Sequence, residues 1–293
     1  MPSSQFVYVL ASSDQDYFAE MAAVSVATLH ATTPDASVTI LSDCETERRD
    51  TQAVRLLKDM ATRWIVYPFD AHSPMQRSRQ LKLGMRESIE GDFVFLDCDT
   101  LIARDISGLA GHRGDFAAVR DIGNPLPAIL EMADRAGWAL PRRCFNSGVL
   151  GVRDTPALRA AFADALNIWR QAAAEGVFYD QFAFWVAFER AKTAIEWLPA
   201  TYNAQITMKS YAAIRPHIFH VFSLQFAERD STVLHVLAKQ LKHSGEINRE
   251  ILAAFVETGN PWMRLSRPGQ YIALGRPVDA AAATLRLLFR APG

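Results

Sequence analysis

The sequence predicts an α/β protein with a mostly parallel central sheet, helices on both faces and a helical carboxyl-terminal tail. Three observations predict it. Short β-branched and aromatic runs alternate with longer helical stretches over the first hundred residues, the order of βα units. Those runs read as buried strands, as a sheet covered on both faces requires. The chain has 293 residues, 49% hydrophobic and 22% charged. That is enough for one large domain or a domain with an appendage, at the composition of a soluble globule.

Residues 6–10, Phe-Val-Tyr-Val-Leu, form the first expected strand. Ser12, Ser13 and Asp14 offer turn and cap chemistry, and an apolar helix runs on to His30. Pro34 and Asp35 break it, and a second strand follows at 37–41. Residues 45–63 are charged, with Val54, Leu57 and Met60 spaced three apart, and read as one surface helix. A strand at 64–67, a helix at 77–90 and a strand at 93–96 continue the alternation. Then come a strand at 116–119, a loop at 123–127, a helix at 128–137 and a short strand at 147–152. Pro156 lies near the start of a long helix at 155–174, where its missing N–H costs nothing. A helix at 181–190 and a strand-like piece at 195–198 follow. After Ala227 two helices, near 232–242 and 246–255, precede a tail spotted with Pro and Gly. The expected division is 1–226 for the α/β domain and 227–293 for a helical extension.

Lys and Arg total 31 against 32 for Asp and Glu, a formal charge of −1. This balance gives no global support for a nucleic-acid-binding or polybasic membrane protein. Cys44, Cys98 and Cys144 are odd in number and far apart, so no disulfide framework or zinc knuckle is expected and a reducing, cytoplasmic setting fits. No run approaches the ~20 apolar residues of a membrane helix. In the tail, Lys239, Lys242, His243 and Arg249 beside apolar neighbours leave room for weak lipid contact. The plainer reading is a solvated face packed on the domain; a partner or a second copy of the chain is another.

Chemistry concentrates in five segments. Asp97-Cys98-Asp99 closes an apolar strand, at the end of an α/β strand where ligands bind. Two carboxylates that close need a cation or donors between them, and hard oxygen ligands suit Mg²⁺ or Mn²⁺. The plainer reading is a pair of turn residues. Haloacid-dehalogenase phosphatases also carry D-x-D, but their motif places Thr or Val where Leu101 stands. Asn146-Ser147-Gly148 reads as a turn first, or as an amide beside a hydroxyl-rich ligand. Asp180-Gln181 opens a helix, so Asp180 is an N-cap or a site carboxylate. Leu198-Pro199 with Tyr202-Asn203 is the fourth segment. The fifth is the apolar run around His217 and His220, either satisfied core histidines or a ligand for a borderline ion.

The ordered set resembles the family 8 glycosyltransferases, which include glycogenin and bacterial lipopolysaccharide galactosyl- and glucosyltransferases. It consists of a first strand into Ala-Ser-Ser-Asp, a Lys-Leu before D-x-D, then Asn-Ser-Gly, Asp-Gln, Leu-Pro…Tyr-Asn and a late His. The resemblance spans residues 6–222 and implies a GT-A fold, a UDP-sugar donor, Mn²⁺ and retention of anomeric configuration. It implies that Asp97, Asp99 and His220 hold the metal. It places Ala11 and Asp14 at the uridine and Lys82 at the donor phosphate or sugar, where the alternative is a solvated lysine on its helix. Asn146 and Asp180 would bond the transferred sugar, with Gln181 beneath its anomeric carbon. The family's His-x-x-Gly-x-x-Lys is not kept, since Ser223 and Phe226 occupy the Gly and Lys positions and only Arg229 lies near. Gln80 stands where an Arg is frequent, with Arg79 beside it.

The resulting expectation is a retaining, metal-dependent transferase moving a hexose from a UDP-sugar to an acceptor the sequence does not identify. Two alternatives stand beside it. One is an inverting GT-A enzyme with Asp180 as base; the other is a catalytically silent sugar-nucleotide-binding protein.

Overall fold

In β1 (Gln5–Leu10) the side chains divide strictly by parity: Phe6, Tyr8 and Leu10 enter one core, Val7 and Val9 another. A strand apolar on both sides belongs in the interior of a sheet covered on both faces. The computed structural model describes residues 4–12, 17–68, 73–123, 125–206, 216–221, 233–247, 250, 252–253, 268 and 277–288. Its first half runs α1 (Tyr17–Thr32), β2 (Ser37–Asp43), α2 (Cys44–Arg48), α3 (Gln52–Met60), β3 (Arg63–Tyr67), α4 (Pro74–Ser88), β4 (Phe93–Leu96) and β5 (Thr100–Ile102). It continues through β6 (Phe116–Arg120), α5 (Pro127–Ala136), β7 (Phe145–Val152), α6 (Pro156–Ala174) and α7 (Gln181–Arg190). Then follow β8 (Ile195–Leu198), β9 (Ala204–Ile206), β10 (Ile218–Val221), α8 (Val233–Ser244) and α9 (Pro277–Leu288).

A seven-stranded sheet has the order β3-β2-β1-β4-β7-β6-β8. All of its pairings are parallel except those of β7, which runs against both β4 and β6. Helices α1, α3 and α8 cover the Phe6 face, and α4, α6 and α7 cover the Val7 face. The chain winds outward from β1 through β2 to β3, then returns to place β4 on the other side of β1. Such a reversal opens a crevice at the carboxyl ends of the two central strands. A small second sheet, β5-β10-β9, stands beside that crevice. No helix among the described residues is long and apolar enough to cross a membrane.

Four sequence readings need correction. The single helix at 45–63 is two, because two N-caps restart it: Asp43 accepts from the Thr46 N–H at 2.7 Å and Thr51 from the Val54 N–H at 3.3 Å. Arg63 already belongs to β3. Asn146-Ser147-Gly148 is no turn but the start of β7, fully buried, since its backbone continues the pairing with β4 and β6. The three-residue strands β5 and β9 carry too little periodicity to be read, although they and β10 build the second sheet. The Pro- and Gly-spotted tail contains α9, with Pro277 at its first turn followed by an Ala-rich stretch, a legible helix signal. The helix expected at 246–255 lies mostly outside the described residues.

Candidate active site

The acidic pair sits at the crevice because β4 ends there. The Asp97 N–H donates to the Gly148 carbonyl at 2.8 Å, so β7 holds the strand end. The Asp97 carbonyl accepts from the Thr100 N–H at 3.2 Å and Oγ1 at 2.8 Å, a tight turn that sends the chain into β5. The Asp99 carbonyl accepts from the Val221 N–H at 2.8 Å. Antiparallel pairing of β10 with β5 then sets His220 opposite Thr100. His220 Nε2 ends 3.1 Å from Asp99 Oδ1 and 3.7 Å from Asp97 Oδ2. One ligand atom from each of the three residues lies within 4.8 Å of the others. Two carboxylate oxygens and an imidazole nitrogen suit Mn²⁺, and the carboxylates suit Mg²⁺, so this donor set fits a divalent cation.

The imidazole is held from behind. His220 Nδ1 donates to Asn203 Oδ1 at 3.0 Å, and an amide oxygen only accepts. Asn203 Nδ2 donates to Asn146 Oδ1 at 2.9 Å, which also accepts from the Gly148 N–H at 2.9 Å. A backbone N–H cannot flip, so it orients Asn146, then Asn203, then the ring. In the neutral imidazole the proton therefore sits on Nδ1 and the Nε2 lone pair faces the carboxylates. Gly148 makes room for it: a Cβ there would lie 2.1 Å from His220 Cε1. Burial pulls the His220 pKa down, but Asp99 and Asp97 outweigh it and the net shift is upward.

Lys82 is not a solvated lysine. It is 4% exposed on α4 and its Nζ bonds both Asp97 carboxylate oxygens, at 3.0 and 3.1 Å. The same ammonium is 3.3 Å from Asp180 Oδ2 and stands 5.1 Å from the Phe95 ring centroid. Burial lowers the Lys82 pKa, yet the two carboxylates reverse this and hold it above the ordinary lysine value. Burial pushes the Asp97 carboxyl up; Lys82 opposes the shift and Asp99 adds to it.

Asp180 occupies the residue before α7 without capping it. Its carboxylate instead pairs with Lys82 and with Arg79 Nε at 3.2 Å, the arginine that stands beside Gln80. Burial raises its pKa, but Arg79 and Lys82 prevail and leave it below the usual value. Gln181 is 4% exposed and its amide is fully used. Oε1 accepts from the Ser147 N–H at 2.7 Å, while Nε2 donates to Asp121 Oδ2 at 2.7 Å and Tyr179 Oη at 3.0 Å.

Asp121 is the site carboxylate that sequence reasoning missed. Burial raises its pKa against bonds from Gly123, Gln181 and Asn146. The available signal was its place just after a strand, as for Asp97. Asn146 is 4% exposed and its amide is spent on protein partners. Ala11, 5% exposed, follows β1 at the same crevice. Ser12 beside it is fixed through its N–H to Thr46 Oγ1 at 2.7 Å and its carbonyl to buried Arg77 at 3.2 Å. Asp14, Ser223, Phe226 and Arg229 lie outside the described residues.

No protein-family model matches the chain, and no curated protein matches it in sequence. Solved structures do. The galactosyltransferase LgtC, in complex with donor and acceptor sugar analogues, superposes with a TM-score of 0.55 at 14% identity, over 84% of this chain and 98% of that one. Mouse xyloside xylosyltransferase 1, in its apo form, gives 0.50 at 14% identity over 76% of this chain and 98% of that one. The glycosyltransferase GlyE of Streptococcus pneumoniae TIGR4 gives 0.56 at 13% identity, over 87% of this chain and 63% of that one. The chain has the GT-A fold. In this GT-A chain the acidic pair lies where the sheet order reverses, and His220 is brought to it by the small second sheet.

Proposed function

We propose that the chain is a retaining glycosyltransferase that moves a hexose from a UDP-sugar to an acceptor hydroxyl, assisted by Mn²⁺ or Mg²⁺. The observation that carries this is the convergence of Asp97, Asp99 and His220 at the sheet-order reversal of a GT-A fold. The three structural neighbours above are glycosyltransferases, and one holds donor and acceptor sugar analogues. A divalent cation bound here supplies Lewis-acid stabilisation of a departing diphosphate.

The protein groups around it have separate tasks. Asp97, Asp99 and His220 hold the cation, with His220 presenting Nε2 because Nδ1 is engaged by Asn203. Lys82 keeps Asp97 and Asp180 compatible at close range and offers a positive charge to the donor. Ala11, and Asp14 as the resemblance implies, border the nucleoside. Asp180 and Asn146 stand beside the sugar, Asn146 acting chiefly through Asn203. Gln181 presents a fixed amide dipole to the oxocarbenium-like centre that glycosyl transfer develops. An active-site glutamine of LgtC has been replaced by glutamate in a solved mutant, which supports looking to a glutamine here.

The inverting alternative needs Asp180 as general base. A carboxylate held ionised by Arg79 and Lys82, with its pKa depressed, is a weak proton acceptor. This favours front-face attack, with the departing phosphate oxygen taking the acceptor proton. The deciding experiment is calorimetric titration with UDP in Mn²⁺ and again after chelation. Binding should weaken at least about tenfold on chelation, a change of ~1.4 kcal/mol. Equal affinity in both would remove the metal from the site.

A further inference from the structure

A concave site lies apart from Asp97, Asp99 and His220, none of which lines it. It is a cavity of about 710 Å³ between the β6–β8 edge of the sheet and α7. That volume is within the ~300–1,000 Å³ of small-molecule sites. Its floor is the margin of the second core, where Phe116, Phe145, Trp185 and Phe188 are all buried and held rigid. Phe145 and Phe188 stack with centroids 5.8 Å apart, and the Trp185 indole N–H donates to the Phe145 carbonyl at 2.7 Å. Its rim carries Arg120, Arg142 and Arg143, all exposed, and the part-exposed ring of Trp197.

The charge at this rim is unbalanced. Among the described residues, none of the three guanidinium groups forms an ion pair or hydrogen bond. Glu189 is the single carboxylate among the described residues of the lining. A chain of net charge −1 therefore holds a local excess of two positive charges beside the exposed ring of Trp197. Guanidinium forks match carboxylates and phosphates, and aromatic faces offer flat apolar surface to a ring.

The cavity shares strands β6 and β7 with the site. Arg120 lines it, and the next residue, Asp121, accepts from Gln181. Phe145 lines it, and the next residue, Asn146, begins the chain of amides behind His220. We infer that this cavity is a binding cleft for an anionic saccharide, one whose carboxylate or phosphate is read by Arg120, Arg142 and Arg143 with a sugar ring against Trp197. This binding site goes beyond the transferase reading and does not depend on it.

The test is saturation-transfer NMR on the metal-free, donor-free protein with glucuronic acid, glucose 6-phosphate and glucose. At least one anionic sugar should bind saturably, at least about tenfold tighter than glucose, and lose that advantage in high salt. The carboxylate and phosphate arms distinguish which anion is read. Arg120→Ala/Arg142→Ala/Arg143→Ala should abolish the preference while keeping the melting temperature and UDP affinity. Should the triple variant fail to fold, the single variants are titrated, and each should weaken the anionic sugar alone. Trp197→Ala should weaken all three sugars together. Failure of both anionic sugars to bind, equal binding of glucose, or arginine variants that bind like the wild type would overturn the inference. Loss of metal-dependent UDP binding would strike the transferase reading and leave this result standing.

Discussion

His220 reaches the acidic pair because position 148 has no side chain, and it keeps a single tautomer because Asn203 accepts from Nδ1. Replacing Asn203 by Leu removes that acceptor with little change in volume. The ring can then turn or protonate at Nε2, and Mn²⁺ affinity should fall about 10–100-fold, the usual cost of losing a ligand's outer partner. Titration followed by electron paramagnetic resonance measures it, and unchanged affinity would show the amide chain to be packing only. Asp99 offers the cleaner electrostatic probe. Asp99→Asn keeps the shape, removes a ligand charge and should cost at least about 3 kcal/mol in the transition state, more than ~100-fold in turnover. Donor hydrolysis serves as the assay when no acceptor is in hand. The fold should survive, since Asp99 is held through its carbonyl, which the substitution keeps. A variant with normal turnover would sink the metal assignment, and one that does not fold would make Asp99 structural.

At the scale of elements, the β7–α6 junction is tied to α4 by one carboxylate. Asp154 accepts from Arg159 Nε and Nη2, each at 2.7 Å, from Arg86 at 2.6 Å and from the Gly91 N–H at 2.7 Å. The Arg159 hydrogen bonds, with help from Arg86, bring its pKa from 3.8 to about 2. The unfolded chain binds the proton more tightly, so this contribution is complete above pH 3.8 and disappears as pH falls through about 2. Asp154→Asn should therefore lower the melting temperature at pH 5 and flatten its decline between pH 4 and 2. A variant that declines as steeply as the wild type would place the acid sensitivity elsewhere.

At the scale of the whole molecule, α8 closes the first core although it follows the α/β domain in sequence. Leu234, Leu237 and Leu241 are buried in the same cluster as α1 and the central strands. Each buried Leu is worth about 1.5–3 kcal/mol, against a total stability of ~5–15 kcal/mol. A chain ending at residue 226 should accordingly lose its cooperative melting or melt well below the full chain. If it melts at the same temperature by circular dichroism, 227–293 is an independent extension after all.

The sequence by itself determined the α/β class, the buried strands and the D-x-D at a strand end, because these rest on local signals. Alternation, helix period, Pro at a helix start and an acidic turn are all written within a few residues. It also named His220, Lys82, Asp180 and Gln181, through the order of its motifs. Only the tertiary structure decided what those residues touch. Asn-Ser-Gly reads as a turn until β4 and β6 pair with it. Lys82 reads as a donor contact or as a solvated lysine until α4 packs against Asp97 and Asp180. Asp180 reads as a helix cap until Arg79 and Lys82 claim its carboxylate. Asp121 shows only its place just after a strand until Gln181 and Asn146 meet it. The meeting of His220 with Asp99 depends on the register of two short strands, β5 and β10, far apart in the chain. Register is settled by the closing of both cores around the strands, and no window of neighbouring residues contains that information.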